Sequence, residues 1–242
     1  MKDQSLVGTI VLAVAVAVAG WFIGRGVEHF RTADRYVSVK GVSERDVAAD
    51  MALWPLRFSS TDDNLVRAQE KFDSSLKTVA EFLKRHGIDP ARAELQGFEV
   101  NDVMANPYRN PGEVSNRYII NGTLMVRVDD PALVQTASQA LGQLVQAGVV
   151  FSSQGGYTSG PTFLYSKLND LKPEMIAEAT ASAREAAEQF AKDSRSKLGG
   201  IRQANQGVFQ ILPRDRAPGI AEESQLNKTV RVVTTVEYYL ED

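Results

Sequence analysis

The sequence predicts an α+β fold, with mixed or antiparallel sheets carrying three long helices and one N-terminal transmembrane helix ahead of them. Three observations lead there. Residues 6–23, LVGTIVLAVAVAVAGWFI, contain no charged side chain. Three later segments repeat apolar residues at spacings of three and four, the helical period. Several others alternate apolar with polar residues, which marks strands with one covered face. The elements read in the order β-β-α-β-β-α-β-α-β-β. The 242 residues divide into an N-terminal tail (1–5), an anchor (6–24), a polar tether (25–34) and one folded region (35–242).

The uncharged run of 18 residues spans roughly 27 Å at ~1.5 Å per residue, close to the hydrocarbon thickness of a bilayer. Trp21 stands near its end, where an indole favours the interface. A cleaved signal peptide is the rival reading, because Ala17-Val18-Ala19 fits the small-residue cleavage rule. The run continues past that point to Ile23 and exceeds an ordinary signal core, so an uncleaved anchor is preferred. Gly20 and Gly24 form a GxxxG pair that would let two helices approach closely in the membrane. Ala13/Ala17 and Ala15/Ala19 repeat the small-residue spacing. Charge leaves orientation open: Lys2 and the free amine face Arg25, Arg31 and Arg35, which Glu28 and Asp34 dilute.

The folded region opens with a short strand at Tyr36–Lys40. A longer one, Val47–Ser59, puts Trp54, Leu56 and Phe58 at contact positions. Pro55 lies inside it and predicts an edge or bulged strand, since proline cannot donate to a ladder. The first helix is expected from Thr61 to His86, with Leu65, Phe72, Leu76, Val79 and Leu83 on one stripe. Thr61 or Ser60 would cap it and Gly87 would end it. Glu94–Val103 is a weaker strand. Arg117–Val128 places Tyr118, Ile120, Leu124 and Val126 on one face, and Arg117, Asn121, Thr123 and Arg127 on the other. The second helix is expected from Pro131 to Ala147, capped by Asp130 and closed by Gly148. Val149–Ser152 and Thr162–Tyr165 are short strands. The third helix is expected from Pro173 to Leu198, stopped by Gly199-Gly200. Its Ile176, Ala179, Ala183, Ala187, Phe190 and Ser194 share a face, and the abundance of alanine requires a close neighbour. Ile201–Leu212 and Thr229–Leu240 complete the strands. The latter carries Val230, Val232, Val236 and Tyr238 inward. Three polar, turn-rich loops, Met104–Ser115, Ser152–Pro161 and Pro213–Gln225, are the natural contact surfaces.

Familiar catalytic chemistry is hard to place on this chain. It has no cysteine and two histidines, His29 and His86. That removes disulfides, thiolate metal sites and cysteine nucleophiles, and leaves no histidine cluster for zinc. Gly156-Tyr157-Thr158-Ser159-Gly160 resembles a nucleophile elbow only superficially, with no histidine downstream to act as base. No Walker loop, GxGxxG or EF-hand spacing occurs. Asp129-Asp130 could suggest a cation, but Asp130 is explained as a helix cap. With 27 basic and 30 acidic residues the net charge is -3, which argues against a nucleic-acid partner. No cofactor, metal or catalytic residue is assigned. Asn121-Gly-Thr123 and Asn227-Lys-Thr229 match glycosylation sequons but fall in predicted strands.

Several stretches together carry a family resemblance. Tyr36-Val-Ser-Val-Lys-Gly41 is similar to a V-x-V-x-G opening. Leu83-Lys-Arg-His-Gly-Ile-Asp89 resembles an L-x-x-x-G-I/V-x helix end, and Asn106-Pro-Tyr108 a P-x-Y loop. Ala179 to Ala191 resembles an alanine-spaced helix followed by Leu198-Gly199. The order and spacing resemble the SIMPL-domain family of bacteria across residues 35–242. The resemblance implies an exported or periplasmic domain, in some members oligomeric or stress-linked, without established catalytic residues. It places the domain outside the cytoplasmic membrane. The expectation is a non-enzymatic, single-pass protein that contacts the bilayer through residues 6–24 and forms homo-oligomers or binds envelope partners. The alternative is a small-ligand receptor or enzyme with a loop-built site.

Overall fold

The computed structural model describes residues 14–22, 35–105, 116–152 and 160–241. Among these residues the chain is α+β with antiparallel strand pairing, as predicted. Residues 14–22 are helical (α1). Among the described residues no helix is long and apolar enough to cross a membrane. The rest of the expected anchor, 6–13 and 23–24, lies outside the described residues, as do the tether 25–34, Asn106-Pro-Tyr108 and most of the Gly156–Gly160 motif.

From Tyr36 the chain forms β1 (Tyr36–Ala48), β2 (Met51–Asp62), α2 (Leu65–Arg85), β3 (Ala93–Asp102) and β4 (Tyr118–Val128). It continues through α3 (Pro131–Gln139), α4 (Gly142–Gln146), β5 (Val150–Phe151), β6 (Thr162–Leu164) and α5 (Leu168–Asp193), ending with β7 (Lys197–Gln206), β8 (Gln210–Pro213) and β9 (Asn227–Glu241). Two compact units emerge. Among the described residues, one is drawn from Met1–Glu44, Pro173–Phe209 and Arg231–Asp242, and the other from Arg45–Lys172 and Gln210–Val230.

In the second unit a five-stranded sheet has the order β3-β4-β2-β5, with β6 also on β2. Trp54, Leu56 and Phe58 alternate inward from β2, opposite Val126, Leu124 and Gly122 of β4. Phe72, Val79, Phe82 and Leu83 of α2, with Val134, Ala137 and Leu144, complete this core. The stripe includes Ala68 and Phe82 rather than Leu65, which is exposed.

Pro55 does not mark an edge. It pairs with Met125 on one side, and on the other it falls between β6, at Met51–Leu53, and β5, at Phe58–Ser59. The Arg57 carbonyl accepts Ser152 N on the β5 side at 3.1 Å. Backbone groups two residues apart point to the same edge, so the missing N–H of Pro55 faces that gap and no ladder bond is lost.

The caps follow local chemistry, with two corrections. Asn64, not Thr61 or Ser60, caps α2; its Oδ1 accepts Val66 N at 2.9 Å and Arg67 N at 3.2 Å. Thr61 instead pairs with Ile119 in β2, and the Ser60 hydroxyl donates to the Ala68 carbonyl. Gly87, at φ 78°, ends α2 as predicted: Gly87 N donates to Lys84 O and Ile88 N to Leu83 O. This is the glycine-terminated C-cap pattern, which satisfies otherwise orphaned carbonyls. Gly148 repeats it after α4. Asp130 caps α3 and Pro131 takes its first turn, but the expected single helix breaks at Ala140–Leu141 into α3 and α4. Gly142 at the break contributes the backbone freedom that weakens a helix interior.

In the first unit β1, β9 and β7 are neighbours in that order. Val39, Val236 and Tyr238 pack with Ala183 and Ala187 of α5. The buried face of α5 is Met175, Ala179, Ala183, Ala187 and Ala191, while Phe190 is exposed. The alanine stripe meets Gly41: a Cβ on Gly41 would lie 1.8 Å from the Ala179 carbonyl oxygen. The helix ends at Asp193, before Gly199-Gly200. Arg195 adopts φ 57° and supplies the turn expected of glycine, with Ser196 N donating to Ala191 O. Gly199 and Gly200 belong to β7. Pro173 lies inside α5 rather than opening it, because the helix gains a first turn from Leu168.

Candidate binding surfaces of the five-stranded sheet

No catalytic cluster emerges among the described residues, where no group of three His, Asp or Glu side chains could hold a metal. Gly20 lies in α1 with nothing within 4 Å of a Cβ placed on it. Gly24, its expected partner in a helix contact, lies outside the described residues. His86 closes α2, with Nδ1 2.9 Å from the Phe82 carbonyl and its ring against that of Phe82. That is a helix-end role.

The polar hub of the second unit is Asp62, at the end of β2. Its carboxylate accepts from Lys71 Nζ at 2.9 Å, Arg67 Nε at 3.0 Å and Asn64 N at 2.9 Å. Lys71, then Arg67 and the Asn64 amide, hold its carboxyl well below the usual carboxylate range. An unfolded aspartate protonates near ~3.9. The stabilisation is therefore full above that pH and is lost as pH falls below it towards the folded-state value. The melting-temperature gap between the native chain and Asp62→Asn should be widest near neutrality and narrow below about pH 4. A gap independent of pH would remove the carboxylate from this role.

Sequence alternation missed the exposed apolar character of β3. This strand ends the sheet, pairing with β4 alone among the described strands. Leu95, Phe98 and Val100 are 43%, 46% and 44% exposed. Phe98 touches the helix layer edge-on through Phe72, with ring centroids 5.4 Å apart. A register shift between Gln96 and Glu99, with Gly97 at φ 60°, turns the strand there. Arg117 fastens its far end: Nε and Nη2 reach the Asp102 carboxylate at 3.1 and 2.8 Å, and the guanidinium lies over the Tyr118 ring. Beside β3, Leu76, Ala80, Leu83, Pro90, Ala93 and Leu95 border an apolar hollow of about 210 Å³.

The packed helices α2 and α3 lie on the Trp54–Leu56–Phe58 face of the sheet. A cleft of about 440 Å³ opens on the other face, lined by Leu53, Arg92, Glu94, Gln96, Met125 and Arg127. Alternation places Arg127 on the polar face; in the cleft it is joined by Met125 of its own strand, Leu53 of β2, Glu94 and Gln96 of β3, and Arg92 of the turn before β3. Of the three loops expected to make contacts, Pro213–Gln225 is described. Its anchor is Lys228, whose fully buried ammonium meets the Glu222 carboxylate and, at 2.8 Å, the Glu222 carbonyl.

Fold and residues agree with one finding from comparison with known proteins. The family model described as SIMPL, a protein of unknown function (DUF541), matches residues 37–238, and the chain belongs to that family.

Proposed function

We propose that this chain is a non-enzymatic, membrane-anchored protein of the bacterial envelope whose outer domain works by self-association. The observation that carries the reading is β3: a terminal strand with three apolar side chains left nearly half exposed. An edge strand presents unpaired N–H and C=O groups, and antiparallel pairing with a second copy satisfies both rows at once. Leu95, Phe98 and Val100 would be covered in the same step. The uncharged run at residues 6–23 supports the anchor, and the family resemblance supports a position outside the cytoplasmic membrane.

Light scattering on the full chain in mild detergent tests the assembly. A defined oligomer is expected, and Phe98→Asp should shift it to protomers by placing a charge in the covered layer. A native chain that stays monomeric at high concentration would overturn the reading. A phosphatase fused after Asp242 tests location: activity places the domain outside the membrane, and a silent fusion places it in the cytoplasm.

A further inference from the structure

The cleft on the face of the five-stranded sheet away from α2 brings charged, amide and apolar side chains together. Its floor is apolar, from Leu53 of β2 and Met125 of β4. Arg127 stands opposite Leu53, and Glu94 opposite Met125. Arg127 and Glu94 are therefore diagonal across β4 and β3, with Cα atoms roughly 7–8 Å apart by ordinary sheet geometry. Both line the same cleft, yet their side chains form no ion pair with each other or with any other described residue. Among the described residues the Gln96 amide likewise has no hydrogen-bond partner. Arg92 spends one guanidinium nitrogen on Asp129 and keeps the others.

Opposite charges that are not paired with each other, above an apolar floor, are complementary to a ligand with both charges and an apolar body. A guanidinium fork matches a carboxylate. A carboxylate accepts from an ammonium. A cleft of this size suits a small molecule. We infer that this cleft binds short zwitterionic peptides or free amino acids with apolar side chains. Arg127, helped by Arg92, takes the carboxylate; Glu94 takes the ammonium; Gln96 bonds the amide; and Leu53 and Met125 receive the side chain. The site is built on β2, β3 and β4 with Arg92 on the turn before β3, rather than on the three loops, and it stands independently of the assembly proposal.

Calorimetric titration of the full chain in detergent with leucyl-leucine and with L-leucine tests this. Saturable binding of at least one probe is expected. Acetylating its amine or amidating its carboxylate should each weaken binding about tenfold, the loss expected of one charge-assisted contact. Arg127→Ala and Glu94→Gln should weaken it to a similar degree. Each should also erase the penalty for blocking its own end of the ligand: Arg127→Ala for the amide, Glu94→Gln for the acetyl group. Both residues are at the surface, so unchanged melting temperatures will show that the variants fold. The inference is overturned if neither probe binds up to millimolar concentration. It is equally overturned if blocked probes bind as well as free ones, or if the two variants leave affinity unchanged.

Discussion

Gly41→Ala is expected to cost about 3 kcal/mol or more, at or beyond the upper end for overpacking a core. The added methyl would sit 1.8 Å from the Ala179 carbonyl oxygen and 2.5 Å from Ala183 N. Both obstacles are backbone of α5, so no side chain can rotate away. The helix must withdraw from β1, and the contacts of Val39, Val236 and Tyr238 with Ala183 and Ala187 would loosen together. Urea denaturation of the native chain and the variant measures the loss. Gly200→Ala is the control: nothing lies within 4 Å of its Cβ position, so a change within about 0.5 kcal/mol is expected. Equal stability of Gly41→Ala and the native chain would mean that α5 does not pack on β1 this closely.

Phe72→Ala should cost about 3–5 kcal/mol, the range for removing a buried aromatic ring. Phe72 is 1% exposed. It stacks on Phe58 with centroids 4.9 Å apart and meets Phe98 edge-on. The strand beneath has given way to it, since a Cβ on Gly122 would lie 2.4 Å from the Phe72 ring. A double-mutant cycle with Phe58→Ala should give a coupling of about 0.5–1.5 kcal/mol. The ring also props Phe98, so Phe72→Ala should weaken assembly even where the domain remains folded. A loss below about 1 kcal/mol would contradict this packing.

What the sequence made legible was chemistry that acts within a few residues. Asp130-Pro131, Gly87 and Gly148 bound their helices as expected because a cap needs only neighbours. The alternation of Trp54, Leu56 and Phe58 found the core face of β2. The alanine spacing of α5 implied a close partner, and Gly41 is that partner. Errors arose where a distant contact took over a local group. Ser60 and Thr61 looked like caps, but one hydroxyl serves the Ala68 carbonyl and the other residue belongs to the ladder. Gly199-Gly200 looked like a helix stop, but Arg195 accepts the left-handed turn four residues earlier. The cleft was not legible at all. Leu53, Glu94 and Arg127 are far apart in sequence, and only the pairing of β2 with β4 and of β4 with β3 brings them to one face.

The absence of cysteine, first a reason to exclude chemistry, also makes the central claim directly measurable. Single cysteines placed in turn from position 94 to position 101 would be the only thiols in the chain. Expressed in bacteria and run on non-reducing gels, they report copy-to-copy contact. A disulfide also requires an oxidising compartment, so a band at twice the protomer mass reads contact and location together. The account predicts such a band, strongest at one position along β3 and fading on either side, and absent for a cysteine at Lys77 on α2. No band at any β3 position, or equal bands at β3 and Lys77, would contradict it.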